Sequence, residues 1–119
     1  EVDFLIALCE QAGCGLLLDL NNLIVNALNQ KQPAVVEHVC SILQQIPPHL
    51  VGEIHLAGFS NKTVNGFIVD DHANEVSEQC WEIFQKSAQL FGKVPTLVEW
   101  DNNLPTWDTL VGEAKKARL

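Results

Sequence analysis

Long apolar runs are missing from this 119-residue chain. Nothing in it approaches the roughly 18 to 20 consecutive apolar residues that a membrane span needs. Its first residues also lack the basic, then apolar, then small-residue order of a secretory signal, so the expectation is a soluble, cytoplasmic protein. Basic residues are scarce as well, 7 against 15 acidic ones, for a formal charge of −8. That balance argues against nucleic-acid phosphates and anionic membranes as partners. The one cluster of cations, Lys115, Lys116 and Arg118, falls in the last turns of a predicted helix, where positive charge favours the negative end of the dipole. No Cys-x-x-Cys pair occurs among Cys9, Cys14, Cys40 and Cys80, which removes the basis for zinc-finger and thioredoxin-type readings. Cys40 and Cys80 lie on apolar faces of predicted helices, as buried free thiols of a reducing compartment do, and no disulfide framework is expected.

What is present is a core: 47% of the residues are hydrophobic, enough for a single segment over residues 1–119. Val2, Leu5, Leu8 and Cys9 share a helical face that stops at Gly13. Residues 15–20 are continuously apolar until Asp19, which predicts a strand covered on both faces. A short Leu23-Ile24-Val25 run precedes a polar loop. A helix then runs from Pro33 through Val35, Val36, Val39, Leu43 and Ile46 to Pro47-Pro48. Val51 to Leu56 reads as the next strand, residues 60–66 as a loop or hairpin, and Phe67 to Val69 as a third strand stopping at Asp70. Trp81, Phe84, Ala88 and Phe91 form a helical stripe ended by Gly92. Val94 to Val98 is a further strand, and Trp107, Leu110, Val111 and Ala114 share the face of a last helix. Strands alternating with helices imply a parallel α/β sheet, closed either as an open doubly wound sheet or as part of a (β/α)8 barrel. A full barrel takes about 250 residues, so four strand–helix units correspond to half of one, with two sheet edges in need of cover.

Polar residues recur at the strand ends: Asp19 and Asn22, then His55, then Asp70 and His72, then Glu99. In parallel α/β folds ligands bind at that rim. Several carboxylates brought together without cations would repel one another, so the cluster points to metal. Asp70-Asp71-His72, if extended, places a carboxylate and an imidazole on one side, a pair suited to iron, manganese or zinc. Each residue also has a plainer reading: His55 as a satisfied core histidine, Asp19 as a cap for the following turn, Asp70 and Asp71 as turn residues, Glu99 as the partner of a lysine. Glu53 shares the face of His55 and is a weaker candidate for a ligand or supporting partner. His38, on a helix beside Glu37, and His49, in a proline-flanked loop, carry no functional weight.

The segments Leu18-Asp-Leu-Asn-Asn-Leu23, Glu53-Ile-His-Leu-Ala-Gly58, Asp70-Asp-His72 and Glu99-Trp-Asp101, in this order over essentially the whole chain, resemble the multinuclear non-haem iron-dependent oxidative enzymes, a bacterial family long of unknown function. The resemblance implies the C-terminal half of a TIM-type barrel related to xylose isomerase and endonuclease IV, with two or three iron ions at its rim. It also implies oxidation of a cysteine in a ribosomal precursor peptide by dioxygen, often with a partner protein that presents the peptide. Carried over by position, Asp19, Asn22, His55, Asp70, His72 and Glu99 correspond to iron ligands. The pattern Asp19-x-x-Asn22 departs from the Asp-x-x-His of the related nucleases, and Phe59 follows Gly58 where members often have histidine. The histidines and the metal-bridging glutamate of the family's earlier strands lie outside this sequence, so the chain by itself is expected to be inactive. Two other readings stay open: a divalent-metal isomerase or phosphodiesterase of the same barrel superfamily using zinc or manganese, and a non-catalytic half-barrel that dimerises through its exposed sheet edges.

Overall fold

The structure, a computed structural model, describes residues 1–118. It runs α1 (Val2–Ala12), β1 (Leu16–Asp19), α2 (Leu20–Asn29), α3 (Val35–Leu43), a 3-10 turn (Pro48–Leu50), β2 (Val51–Leu56), β3 (Thr63–Val64), β4 (Phe67–Ile68), α4 (Glu78–Phe91), β5 (Thr96–Val98) and α5 (Trp107–Lys116). Strands β1, β2 and β5 form a parallel sheet in that order, with Asp19 level with His55 and His55 level with Leu97. Local chemistry sets the helix ends. Gly13 takes a left-handed φ of 69° after α1. Ser77 accepts a hydrogen bond from the Cys80 amide at the start of α4, and Thr106 accepts one from Thr109 at the start of α5.

One face of the sheet carries the core. Leu18, Ile54 and Leu56 pack against Leu20, Ile24 and Ala27 of α2, Val36, Val39 and Leu43 of α3, and Cys80, Ile83 and Phe84 of α4. Ile54 and Leu56 are almost completely buried, and each such side chain contributes about 1.5–3 kcal/mol. The opposite face has no covering layer among the described residues. Strand alternation puts Leu17, Asp19, Glu53, His55, Leu97 and Glu99 there, and Leu17 and Leu97 are 52% and 45% exposed.

The structure departs from the sequence-based expectations in α2, in the hairpin and in the helix faces. The segment around Leu23-Ile24-Val25 belongs to a full helix, α2, whose buried Leu20, Ile24 and Ala27 recur at helical spacing. Its four asparagines, poor helix formers in the interior, hide that pattern. Strand β1 is covered on one face only. Phe67 to Val69 is not a further parallel strand: Asn65 and Gly66 both have positive φ, 52° and 82°, the signature of a two-residue turn that joins β3 to β4 as an antiparallel hairpin. The parallel sheet therefore has three strands among the described residues, an arrangement compatible with part of a barrel. Helix faces are rotated from their expected positions. On α1, Leu5 and Leu8 are exposed while Cys9 is buried; on α4 the core face centres on Cys80, Ile83, Phe84 and Ser87; on α5, Trp107 is 76% exposed and Glu113 is the buried residue. The thiols are as expected: all four are free, and Cys40 and Cys80 are buried.

Candidate metal centre

Three strand ends converge on one rim. β1 ends in Asp19, β2 carries His55, and Glu99 follows β5, its amide bonded to the Leu56 carbonyl at 2.8 Å. Asp70 and His72 reach the same place by a different route, from the loop after the β3–β4 hairpin. That loop is fixed from several sides. The Asp71 side chain accepts hydrogen bonds from the Ser60 amide and hydroxyl, and the Asp71 carbonyl accepts one from Asn102 Nδ2 at 2.6 Å. The His72 carbonyl accepts from the amides of Asp101 and Asn102. Gly58 bridges to Asn74 so closely that a Cβ there would lie 1.8 Å from the Glu75 carbonyl oxygen. These restraints hold His72 at a φ of 46°, a left-handed conformation that costs a non-glycine residue free energy and persists where the surroundings over-determine it. Asp70-Asp71-His72 is thus not extended. Asp71 turns away to Ser60, while Asp70 and His72 still meet, with 3.1 Å between Asp70 Oδ1 and His72 Nε2.

The imidazole of His72, with 12% of its side chain exposed, is the centre of the cluster. Its Nδ1 is 3.1 Å from Asp101 Oδ2, in hydrogen-bond geometry, and 3.4 Å from Glu99 Oε2. In the neutral imidazole, a proton shared with Asp101 places hydrogen on Nδ1 and leaves the Nε2 lone pair free. Nε2 faces Asp70 Oδ1 at 3.1 Å and Asp19 Oδ2 at 3.3 Å, yet it makes no hydrogen bond with either. At such short distances that failure is one of angle: the oxygens flank the nitrogen's axis instead of lying on it. A lone pair and two carboxylates that converge without bonding one another are arranged as ligands of a common cation. Donor atoms of Asp19, His72 and Glu99 all lie within 4.8 Å of one another, near enough for small side-chain rotations to bring them to bonds of about 2.0–2.2 Å to a single ion. The residues present therefore fit a divalent metal, and an imidazole oriented by a carboxylate on its far nitrogen is the usual support for such a ligand.

Charge explains the rest of the electrostatics. Burial alone would lower the His72 pKa, but the neighbouring Asp70, Asp19 and Glu99 carboxylates outweigh it and hold the value above that of an ordinary imidazole. Burial pushes the Asp19 carboxyl up, against a hydrogen bond from the Asn22 amide. Burial also acts to raise the Asp71 carboxyl, but its bonds from Ser60 prevail and pull it below the carboxylate range. The lysine ion pairs among the described residues, Lys86 with Glu82 and Lys116 with Glu113, lie elsewhere, so Glu99 has no lysine partner.

Asp19 takes the plainer role considered for it, since Oδ1 caps α2 through the Asn22 amide at 3.0 Å, while its Oδ2 faces His72. His55 lies between two carboxylates, Nδ1 to Glu99 Oε2 at 3.0 Å and Nε2 to Glu53 Oε1 at 2.8 Å. Glu99 thus links it to the His72 cluster. Asn22 turns its amide nitrogen to Asp70 Oδ2 at 3.0 Å, and its oxygen accepts from Asn26. Sequence reasoning gave no role to Asp101, which orients His72, or to buried Asn21, whose Nδ2 donates to Asp70 Oδ1 at 2.6 Å. The repeat of Asp101 two residues after Glu99, matching the spacing of Asp70 and His72, was the available signal for Asp101. His49 is exposed; His38, half-buried on α3, lines a cleft that Asp19 and Asn22 also line.

Comparison with known proteins bears on what such a site does. A family model described as RiPP precursor modification enzyme MbnB/TglH/ChrH matches residues 1–119. A UPF0276 protein of Chromobacterium violaceum is 40% identical over 118 residues, covering 99% of this chain and 40% of its own length. A UPF0276 protein of Acaryochloris marina is 40% identical over 117 residues, 98% of this chain and 40% of its own length. One of Rhizobium meliloti is 38% identical over 122 residues, 100% of this chain and 38% of its own length. The chain thus spans about two fifths of the length of these relatives. No helix among the described residues is long and apolar enough to cross a membrane.

Proposed function

The chain belongs to the RiPP precursor modification enzyme family MbnB/TglH/ChrH, and from that premise we propose that it is the metal-binding, C-terminal part of a TIM-type barrel enzyme that oxidatively modifies cysteine in ribosomal precursor peptides with non-haem iron. The observation that carries this reading is the buried His72 Nε2, short of a hydrogen bond while facing the Asp19 and Asp70 carboxylates. Asp19, Asp70, His72 and Glu99 are the residues that would hold the ion; His55, whose two ring nitrogens are taken by Glu99 and Glu53, would steady Glu99, and Asn22 would steady Asp70. Iron bound there would supply one-electron and dioxygen chemistry. The chain's own residues orient the ligands: Asp101 holds His72, Ser60 and Asn102 hold the loop that carries it, and the α2 N-terminus holds Asp19.

The bare sheet face and the unpaired edges of β1 and β5 belong, in this reading, to the rest of the barrel in a longer protein that works in the cytoplasm. The substrate is a peptide, presented by a partner protein. The 119-residue chain alone, without further ligands from preceding strands, is inactive. The same bare edges favour one second reading, in which two copies of the chain pair β1 and β5 in a homodimer.

Metal identity tests the proposal. Chain isolated without oxygen and analysed by elemental mass spectrometry is expected to retain iron in preference to zinc and manganese. Zinc or manganese retained with iron excluded would point instead to an isomerase or phosphodiesterase lineage.

A further inference from the structure

We propose that Asn21 is a positioning residue that sets the Asp70 carboxylate toward the His72 Nε2 and thereby tunes the affinity of the rim for a divalent cation; this inference rests on the reading that the cluster binds metal. Asn21 is completely buried. Its Nδ2 donates to Asp70 Oδ1 at 2.6 Å, and Asn22 Nδ2 donates to Asp70 Oδ2 at 3.0 Å, so consecutive residues in the first turn of α2 hold both oxygens of one carboxylate. That turn is itself anchored, because Asp19 caps it through the Asn22 amide. A carboxylate otherwise rotates in a broad torsional well, and Asp70 stands in a loop with no sheet pairing to steady it. The amides also offset part of its charge beside Asp19.

The second observation concerns the other end of the same side chain. Asn21 Oδ1 is buried and has no hydrogen-bond partner among the described residues. A buried acceptor without a donor destabilises a fold, and leucine, of similar shape, would fill the space without that penalty. Packing alone therefore gives no reason for an amide at this position. The contact with Asp70 does.

Cobalt(II) serves as the probe, since it takes the same ligands as other divalent first-row metals and its visible absorption reports coordination geometry. The 119-residue chain, Asn21→Leu, Asp70→Ala and the double variant are titrated with cobalt, and the thermal midpoint of each is measured in chelator. Asn21→Leu is expected to keep or raise the midpoint while weakening cobalt binding about 10–100-fold and altering the visible spectrum. The losses from Asn21→Leu and Asp70→Ala are expected not to add, because one residue acts through the other. Unchanged affinity and spectrum in Asn21→Leu, or additive losses, would overturn the proposal. Should Asn21→Leu fail to fold, Asn21→Ser is judged by the same criteria. A parent chain that binds no cobalt would refute the metal reading itself and this inference with it.

Discussion

Replacing Gly58 with alanine should disable the rim without touching a ligand. A Cβ on this residue would lie 1.8 Å from the Glu75 carbonyl oxygen, 2.6 Å from the Glu75 carbonyl carbon and 2.7 Å from the Asn74 oxygen. All three are backbone atoms, so no side chain can swing aside, and relief requires the residue 74–75 segment to move by more than about 1 Å. That segment is held at its far end, where the Val76 amide donates to the buried Glu113 carboxylate at 3.0 Å, and begins two residues after His72. Overpacking of this kind costs about 1–3 kcal/mol, and the backbone clash places Gly58→Ala at or above the upper end. For a domain of this size that is a fall in thermal midpoint of roughly 10 °C. Because the moved segment follows His72 by only two residues, the loop that positions its imidazole should shift too, and metal affinity should fall by tenfold or more on the order of other disturbed ligand supports. Thermal unfolding by circular dichroism and a cobalt titration read both effects. A midpoint and an affinity equal to those of the parent would refute the reasoning that close approach at Gly58 fixes the His72 loop.

Proton linkage gives a second test. Both His72 and Asp19 have pKa values raised in the folded chain, so the folded state binds more protons than the unfolded one, and their contribution to stability is present at low pH and lost as pH rises through the raised values. The metal-free chain should therefore be more stable relative to His72→Gln near pH 5.5 than near about pH 8, and saturating divalent metal should reverse that order because the ion competes with the proton; a pH-independent difference would contradict it. The thiols provide a third. Burial pushes the Cys80 pKa up to about 12, and Cys9 and Cys40 are buried too, whereas Cys14 is exposed. A thiol reagent should modify Cys14 quickly and the other three only on unfolding, and a fast phase that survives in Cys14→Ser would show otherwise.

How much of this was legible in the sequence differs from residue to residue. Apolar periodicity located α3, β2 and the existence of α4 and α5, because those elements bury a face and the pattern follows. It failed for α2, whose asparagines serve the rim and the hairpin: Asn21 and Asn22 hold Asp70, and Asn29 exchanges hydrogen bonds with the Ile68 backbone at 2.8 and 2.9 Å. Residues recruited for such contacts do not follow helix propensity. The Asn65-Gly66 turn was readable, yet the apolar Phe67-Ile68-Val69 run after it resembles any short strand, and only pairing distinguishes a hairpin arm from a member of the parallel sheet. Asp19, His55 and Glu99 were visible as polar residues closing apolar strands. Asp101 and Asn21 were not, since their roles depend on contacts 29 and 49 residues away along the chain. Strand β1 was expected to be covered on both faces because Leu16 to Leu18 are continuously apolar; Leu17 instead faces the uncovered side.

The central claim is that Asp19, Asp70, His72 and Glu99 together hold iron, and the most direct test is iron stoichiometry. The parent chain and His72→Ala would be equilibrated with ferrous iron without oxygen, passed through a desalting column, and analysed for iron and for mass by light scattering. The account predicts that the parent retains iron and that His72→Ala, still folded and of the same mass, loses most of it. Iron retained equally by both, or by neither, would contradict it.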